Sequence, residues 1–314
     1  MITKAISTAK RFSNWWTHTT SFQSTEEPIE VKESNSQIEG LINQGIEENH
    51  QTGSFRKPKH PLVLCHGLFG FDLIGPQALP PLRISYWRGV KEALEKEGVE
   101  VLVARVPASA SIEERARILA QFIEEKLPGR DVNLIGHSMG GLDSRFLITH
   151  LKPTSFKVAS LTTIATPHRG SAFADYVVLD LLGTNHLPKI MTLTQKIGIP
   201  GGGKAFEELT MKKMERFNTE TPDDPNVLYF SYGACFEPGL TNLFRIPWGV
   251  IYEREGPNDG MVSVSSATWG EYKGTLENVN HLDLVGWTGM IRYAYAEWTG
   301  KRIGVAESLA DKGL

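Results

Sequence analysis

The chain of 314 residues contains only two cysteines, and no apolar run in it is long enough to span a membrane. Because a spanning helix needs roughly 18 or more apolar residues in succession, any membrane contact is expected to be peripheral. Two cysteines form at most one disulfide, and Cys65 ends an apolar run where a buried free thiol is expected. The chain also lacks a basic stripe, since 33 Lys and Arg stand against 36 Asp and Glu, for a net charge of −3. This balance argues against a nucleic-acid partner.

The first 25 residues contain no acidic side chain. Lys4, Lys10 and Arg11 supply positive charge, and apolar residues recur roughly on one helical face. This combination is typical of a mitochondrial transit peptide, whereas a secretory signal would need a continuous apolar core. The prediction is therefore a mitochondrial protein. A disordered tail on a cytoplasmic or lipid-droplet protein is the alternative.

Composition changes twice more along the chain. From Glu26 to about Lys57 the sequence is acidic and polar, so residues 1–57 are predicted to form an N-terminal extension. Residues 58–314 are predicted to form one α/β domain, in which strands and helices alternate. Such alternation indicates a mostly parallel sheet with helices on both faces. Strands are predicted at 61–65, 99–106, 132–135, 158–164, 227–232 and 248–252, and helices at 86–96, 111–127, 141–151 and 284–295.

The segment Gly136-His137-Ser138-Met139-Gly140 lies between a short apolar strand and a segment with helical apolar spacing. A glycine two residues before and two residues after a serine suits a cramped strand-to-helix turn, in which a Cβ would meet backbone. This context predicts a nucleophile elbow. Ser138 would then stand exposed at the carboxyl edge of the sheet.

A serine hydroxyl becomes a good nucleophile when an imidazole removes its proton, and a carboxylate must orient that imidazole. In enzymes with a nucleophile elbow the chain order is nucleophile, acid, histidine. Of the four histidines after Ser138, His281 alone lies far enough along to follow a late strand and a separate acid. His281 is therefore the predicted base, while His150 and His168 are interpreted as structural.

The acid is expected at the end of a strand between the elbow and His281. Asp259, in Asn258-Asp259-Gly260, follows the predicted strand 248–252 and is the predicted acid. Asp-Gly also forms turns by itself, so a plain turn is the alternative. Asp223 and Asp224 are rivals, although their Pro-flanked sequence is typical of a simple turn.

The oxyanion of an acyl-transfer intermediate needs donors from the residue after the nucleophile and from a loop after an early strand. The backbone N–H groups of Met139 and Leu68 are the predicted donors. Residues 172–218 are rich in large apolar side chains and are broken by glycines, at a place where a cap over Ser138 can be inserted. This segment is predicted to be a mobile lid. Helices packed permanently on the domain are the alternative.

Several motifs carry a resemblance to a known family. From about Pro58 onward the chain resembles the bacterial true lipases and, with its N-terminal tail, the fungal mitochondrial triacylglycerol lipases. The resemblance implies an α/β-hydrolase fold with an inserted helical lid and a triad of Ser138, Asp259 and His281. The matching motifs, in the family's order, are His66-Gly-Leu-Phe-Gly70, Tyr86-Trp87, Gly136 to Leu142 with Ser144-Arg145, Thr163 to Ser171, Asn258-Asp-Gly260 and Asn280-His-Leu-Asp283.

The resemblance also implies a structural calcium ion in the bacterial group. Asp283 matches one of its ligands, and Glu237 matches the other with Glu in place of Asp. Carboxylate oxygens suit calcium, although Asp283 as the cap of the following helix is the alternative. Ser265 occupies the position of a cysteine in disulfide-bearing members, so that bridge is absent.

The expected function is that of a serine lipase acting on triacylglycerols, and on diacylglycerols, at a membrane or droplet surface. The chemistry itself requires no cofactor. The alternatives are a phospholipase, a carboxylesterase or an acyltransferase of the same fold, and a non-catalytic lipid-binding module.

Overall fold

A parallel sheet of six strands organises the part of the chain that the computed structural model describes, residues 57–68, 73–74, 84–87, 89–107, 110–181, 206–239, 242 and 244–286. The spatial order is β4-β1-β5-β6-β7-β8, and every neighbouring pair is parallel. Two further strands form a short antiparallel ribbon. The strands are β1 Leu62–Cys65, β2 Leu73–Ile74, β3 Ile84–Ser85, β4 Val101–Ala104, β5 Asp131–His137, β6 Lys157–Ile164, β7 Leu228–Cys235 and β8 Glu271–Glu277.

Helices cover both faces of this sheet. Alternate residues of a strand point to opposite faces, and in β1 both sets are buried, as predicted for a central parallel strand. Val63 packs with the second helix on one face, whereas Leu64 packs with Trp87 on the other. The α-helices are α1 Val90–Lys96, α2 Ile112–Lys126, α3 Met139–Phe146, α4 Ala172–Asp175, α5 Met211–Glu220, α6 Arg245–Glu255 and α7 Val264–Ala267. Two π-helices, Leu147–Leu151 and Tyr176–Leu181, continue α3 and α4, and Asp283–Val285 is a 3₁₀ turn.

Helix α2 forms as its sequence predicts. The Ser111 side chain caps it by accepting a hydrogen bond from the Glu114 backbone N–H at 3.2 Å. Four residues of the apolar stripe are buried in one cluster with β1, β5 and β6, namely Ala116, Leu119, Ile123 and Leu127. The fifth, Ile112, is buried in a second cluster with Met139 and Leu142 of α3. Helix α2 therefore packs both on the first strands of the sheet and on helix α3, which follows the predicted elbow.

One sequence-based prediction about a late element is wrong, and one late strand was not predicted. The predicted strand 248–252 is the middle of the helix Arg245–Glu255. A short apolar run does not separate strand from helix by periodicity, and the 11-residue length with a proline in the first turn suits a helix. The strand Glu271–Glu277 was not predicted, because its charged residues hide the pattern of an edge strand.

One predicted helix starts later than expected, and several other predictions fall outside the described residues. The predicted helix 86–96 begins only at Val90, because Gly89 precedes it with a positive φ of 79°. Residues 1–56 and 182–205, and the predicted helix 284–295 beyond Gly286, lie outside the described residues. The transit peptide, the domain limits and the lid therefore stay predictions. No helix within the described ranges is long and apolar enough to cross a membrane.

Candidate active site

Ser138 occupies a strained turn between β5 and α3. Its φ of 54° and ψ of −130° are unusual for a residue with a Cβ. The Ser138 N–H donates to the Ile164 carbonyl at 2.9 Å, and the Thr166 hydroxyl donates to the Ser138 carbonyl at 2.8 Å. These contacts with β6 and the loop after it hold the turn in place. The predicted strand-turn-helix arrangement around Ser138 is thus present. The predicted exposure of Ser138 is wrong, since the residue is 7% exposed where Gly67 packs against its side chain.

The glycines of the elbow are required by crowding. A Cβ on Gly136 would lie 2.6 Å from the Gly141 Cα, and a Cβ on Gly140 would collide with the Cys65 carbonyl oxygen. Real Cβ atoms do not approach so closely, so the backbone would have to move. Glycine at position 136 therefore lets the end of β5 approach the start of α3, and glycine at position 140 lets α3 pack against β1.

Asp259 and His281 form a buried pair. The His281 ring donates from Nδ1 to Asp259 Oδ2 at 2.7 Å. The other carboxylate oxygen of Asp259 accepts backbone N–H bonds from Met261 at 2.9 Å and Val262 at 2.8 Å. Since a carboxylate only accepts, Nδ1 carries the ring proton and Nε2 keeps a free lone pair. This is the tautomer that a general base needs.

Ser138 and His281 line the same pocket. Within the described residues the Ser138 hydroxyl has no direct hydrogen bond to the ring, and such bonds are often loose before substrate binds. The wall of the pocket is largely apolar. It includes Leu68, Pro167, Phe173, Ala174, Phe206, Leu209, Met261, Val262 and Leu282, together with Tyr86 and Ser171.

The rival residues point elsewhere. Asp223 accepts from the Trp269 indole N–H at 3.0 Å, and Asp224 accepts from the Asn226 backbone N–H at 2.9 Å within its own turn. His150 stacks on Phe146 beside α3. His168 is fully buried against Trp269, and burial lowers the pKa of its ring well below the usual range. Among these candidates, only Asp259 is bonded to His281.

The loop of residues 66–68, here called the oxyanion loop, presses against Ser138. A Cβ on Gly67 would lie 2.6 Å from the Ser138 Cβ. The Gly67 carbonyl faces His66 Nδ1 at 3.0 Å and the Arg115 guanidinium at 3.4 Å. In a trans peptide the next N–H points the opposite way, so the Leu68 N–H is directed away from Arg115. Met139 begins α3, so its N–H has no partner within the helix.

Similarity to known proteins places the chain in a family. A family model described as a PGAP1-like alpha/beta domain matches residues 112–184. Triacylglycerol lipase 2 of Saccharomyces cerevisiae is 41% identical over 281 residues, which cover 76% of this chain and 84% of the yeast protein. A triacylglycerol lipase of Vibrio cholerae is 30% identical over 73% of this chain and 80% of its own length. The chain belongs to the triacylglycerol lipase family.

Solved structures agree with this fold. The mature Bacillus licheniformis lipase BlEst2 superposes with a TM-score of 0.55 at 21% identity, over 76% of this chain and 92% of its own. The Staphylococcus hyicus lipase gives a TM-score of 0.54 at 22% identity, over 74% and 91%. The predicted α/β-hydrolase fold is confirmed.

This family member holds its oxyanion loop with a buried ion pair that the sequence did not reveal. Arg115 projects from α2 and is completely buried. It bonds to Asp143 of α3 at 2.8 Å and donates to the carbonyls of His66 at 2.7 Å and Pro107 at 2.8 Å. Burial raises the pKa of Asp143 to about 6, against the opposing charge of Arg115. The sequence feature that could have indicated this ion pair is Arg115 itself, a charged residue next to the buried apolar stripe of α2.

Replacing Arg115 by methionine is expected to destabilise the fold. Breaking a buried ion pair from one side leaves the Asp143 carboxylate uncompensated, which typically costs about 3 to 5 kcal/mol. Urea unfolding followed by tryptophan fluorescence measures this loss. Arg117→Met is the matched control, because Arg117 lies on the same helix and pairs with Glu113 on the surface. That control should change the free energy of unfolding by less than about 0.5 kcal/mol, and equal effects would contradict the argument.

His66 is a neutral ring in the oxyanion loop. Its Nε2 accepts from the Val106 N–H at 3.2 Å, so its proton lies on Nδ1, facing the Gly67 carbonyl. Burial, followed by the charge of Arg115, lowers the pKa of His66 to about 4. The unfolded chain therefore binds this proton more readily than the folded chain. Stability from His66 is complete above pH 6.5 and is lost as the pH falls toward 4.

Exchanging His66 for glutamine should weaken this acid sensitivity. Glutamine can accept one hydrogen bond and donate another without titrating. The slope of unfolding free energy against pH between 6.5 and 4 should become shallower by up to about 1.4 kcal/mol per pH unit. Urea unfolding at several pH values measures both slopes. Parallel curves for the two proteins would show that His66 does not titrate on unfolding.

The predicted calcium ligands lie in different settings. Glu237 is exposed in the loop after β7. Asp283 begins the 3₁₀ turn, whose cap is Leu282, and most of the predicted helix that it would cap lies outside the described residues. Its Oδ2 accepts from the Asn280 N–H at 3.1 Å, and its Oδ1 is buried without a partner among the described residues. Those residues contain no group of three or more His, Cys, Asp or Glu suited to a metal ion. The calcium site stays a prediction.

Proposed function

We propose that this chain is a serine lipase that hydrolyses ester bonds of triacylglycerols, and of diacylglycerols, through an acyl-enzyme on Ser138. One observation carries the proposal. Ser138 and His281, the ring that Asp259 holds, line a single pocket whose wall is largely apolar. Membership of the triacylglycerol lipase family supports the same assignment.

The geometry suggests a role for each group. His281 Nε2 removes the Ser138 proton as the hydroxyl attacks the ester carbonyl, and Asp259 stabilises the imidazolium that forms. The N–H groups of Leu68 and Met139 then stabilise the oxyanion. The imidazolium delivers its proton to the departing glycerol oxygen, and water repeats the sequence on the acyl-enzyme.

The pocket suits an acyl chain. Phe173 and Ala174 come from α4, and Phe206 and Leu209 come from the far side of residues 182–205. The described ends of the predicted lid, residues 172–218, thus contribute apolar wall. We propose that movement of this lid at a lipid surface admits a long acyl chain.

The rate on different esters tests the proposal. The purified full-length protein is assayed with triolein, tributyrin and a phosphatidylcholine, each below and above the concentration at which it forms an emulsion or bilayer. We expect triolein emulsions to be hydrolysed fastest, with a rise in the tributyrin rate when droplets form.

The other outcomes identify the alternatives. Faster hydrolysis of dissolved tributyrin indicates a carboxylesterase, and faster hydrolysis of phosphatidylcholine indicates a phospholipase. Acyl transfer to an added alcohol without net hydrolysis indicates an acyltransferase. Failure of a fluorophosphonate probe to label the protein indicates a non-catalytic lipid-binding module.

Calcium and location are further parts of the proposal. Loss of activity with a chelator, restored by calcium, would support a structural ion at Asp283 and Glu237. Fusion of residues 1–25 to a fluorescent protein tests mitochondrial import, which their basic and acid-free composition supports. Diffuse or droplet fluorescence would overturn that location.

A further inference from the structure

Tyr86 is a fully buried side chain for which the mechanism above has no role. It lies in the turn before α1, 3% exposed, in a cluster with Leu64, Trp87 and Val285. Its hydroxyl contacts two groups that belong to different parts of the site.

The first contact is with the oxyanion loop. The Gly67 N–H donates to the Tyr86 hydroxyl at 3.0 Å. The carbonyl of the same residue faces Arg115 and His66. Gly67 is therefore held through both its N–H and its carbonyl. The direction of the Leu68 N–H follows from the orientation of these two peptide groups.

The second contact is with the ring next to the nucleophile. The Tyr86 hydroxyl lies 2.6 Å from His137 Nδ1. Burial, followed by the charge of His281, lowers the pKa of His137 well below its usual range, so the ring is neutral. Because the hydroxyl already accepts from Gly67, its own proton is available for His137 Nδ1. The hydroxyl of Tyr86 thus holds Nδ1 of the ring, and the backbone of His281 also interacts with this ring.

His137 in turn packs against the base. The ring centroids of His137 and His281 are 4.6 Å apart at an angle of 44°. Rotation of the His137 ring would change the surface on which the His281 ring rests. A hydroxyl that fixes His137 therefore also limits the positions of His281.

We propose that Tyr86 is a positioning residue for ester hydrolysis, because its hydroxyl fixes both the oxyanion loop and the ring that supports the base. This inference rests on the proposed function. It predicts that loss of one oxygen atom disturbs the oxyanion donor and the base together. Since both act in the transition state, turnover should fall more than substrate binding.

Tyr86→Phe is the direct test. We expect kcat per active site to fall about 10- to 100-fold, the range for small misplacement of catalytic groups, with KM within about twofold of the wild type. Active sites are counted with a fluorophosphonate probe, so a smaller folded fraction does not count as lower turnover. Affinity for a trifluoromethyl ketone, which mimics the oxyanion, should fall by the same factor as kcat/KM.

Matched variants separate positioning from a merely structural role. Tyr229→Phe removes a hydroxyl that also accepts a backbone N–H, from Asp224 at 3.0 Å, and it should leave kcat unchanged. His137→Asn retains an acceptor near Nδ1 and should keep more turnover than His137→Leu. In the double variant Tyr86→Phe/His137→Leu, kcat should fall by a smaller factor than the product of the two factors measured for the single variants.

Two results would overturn the inference. One is an unchanged kcat per active site in Tyr86→Phe, and the other is equal kcat values for His137→Asn and His137→Leu. If Ser138→Ala is inactive while Tyr86→Phe retains full turnover, the proposed function stands and only the role of Tyr86 fails. Retention of hydrolysis by Ser138→Ala would instead remove the proposed function itself.

Discussion

Replacing Ser138 by alanine is expected to lower turnover on triolein by about 10⁶-fold, the usual loss when the nucleophile of such a unit is removed. The substitution deletes one oxygen and keeps the Cβ, so the strained φ of 54° and its neighbours are disturbed little. The fold should therefore be retained. Hydrolysis per milligram and the circular dichroism spectrum are the two measurements.

Ser160→Ala is the matched control for this prediction. The Ser160 hydroxyl donates to Asn133 at 2.8 Å within the sheet, and its loss should leave turnover unchanged. A fluorophosphonate probe should label the wild type and the control, but not Ser138→Ala. Turnover by Ser138→Ala within 100-fold of the wild type would refute Ser138 as the nucleophile.

Replacing Asp259 by asparagine is expected to lower kcat by about 10⁴-fold, the loss known for this exchange in a Ser-His-Asp triad. One carboxylate oxygen accepts two backbone N–H groups, so the amide oxygen of asparagine must take that place. The amide NH₂ then faces His281 Nδ1 and can only donate. The ring proton moves to Nε2, and the base loses the lone pair that accepts the Ser138 proton.

Asp224→Asn is the control, because Asp224 was a rival for the acid and bonds within its own turn. It should keep kcat near that of the wild type. The thermal unfolding temperature of Asp259→Asn should stay close to the wild-type value, since the side-chain shape is retained. If Asp224→Asn were the variant with the large loss, the assignment of the acid would be wrong.

The elbow and the late acid show what local sequence can specify. Gly136 and Gly140 flank Ser138 at the spacing that a crowded turn requires, and a Cβ at either position would clash in the structure. Asp259 was proposed from its place after a predicted strand and in the chain order, and it does contact His281. The prediction of a strand at 248–252 was wrong, because these residues belong to the helix Arg245–Glu255. The acid could still be located because the turn and the chain order do not depend on the preceding element.

Sequence alone determined which groups could do chemistry, because side-chain type, glycine spacing and chain order are local properties. Tertiary structure decided which groups support them. Arg115 reaches the oxyanion loop from a helix 48 residues away, and Tyr86 meets a histidine 51 residues away. Such contacts depend on the parallel register of β1, β4 and β5, which long-range burial sets and no local pattern records.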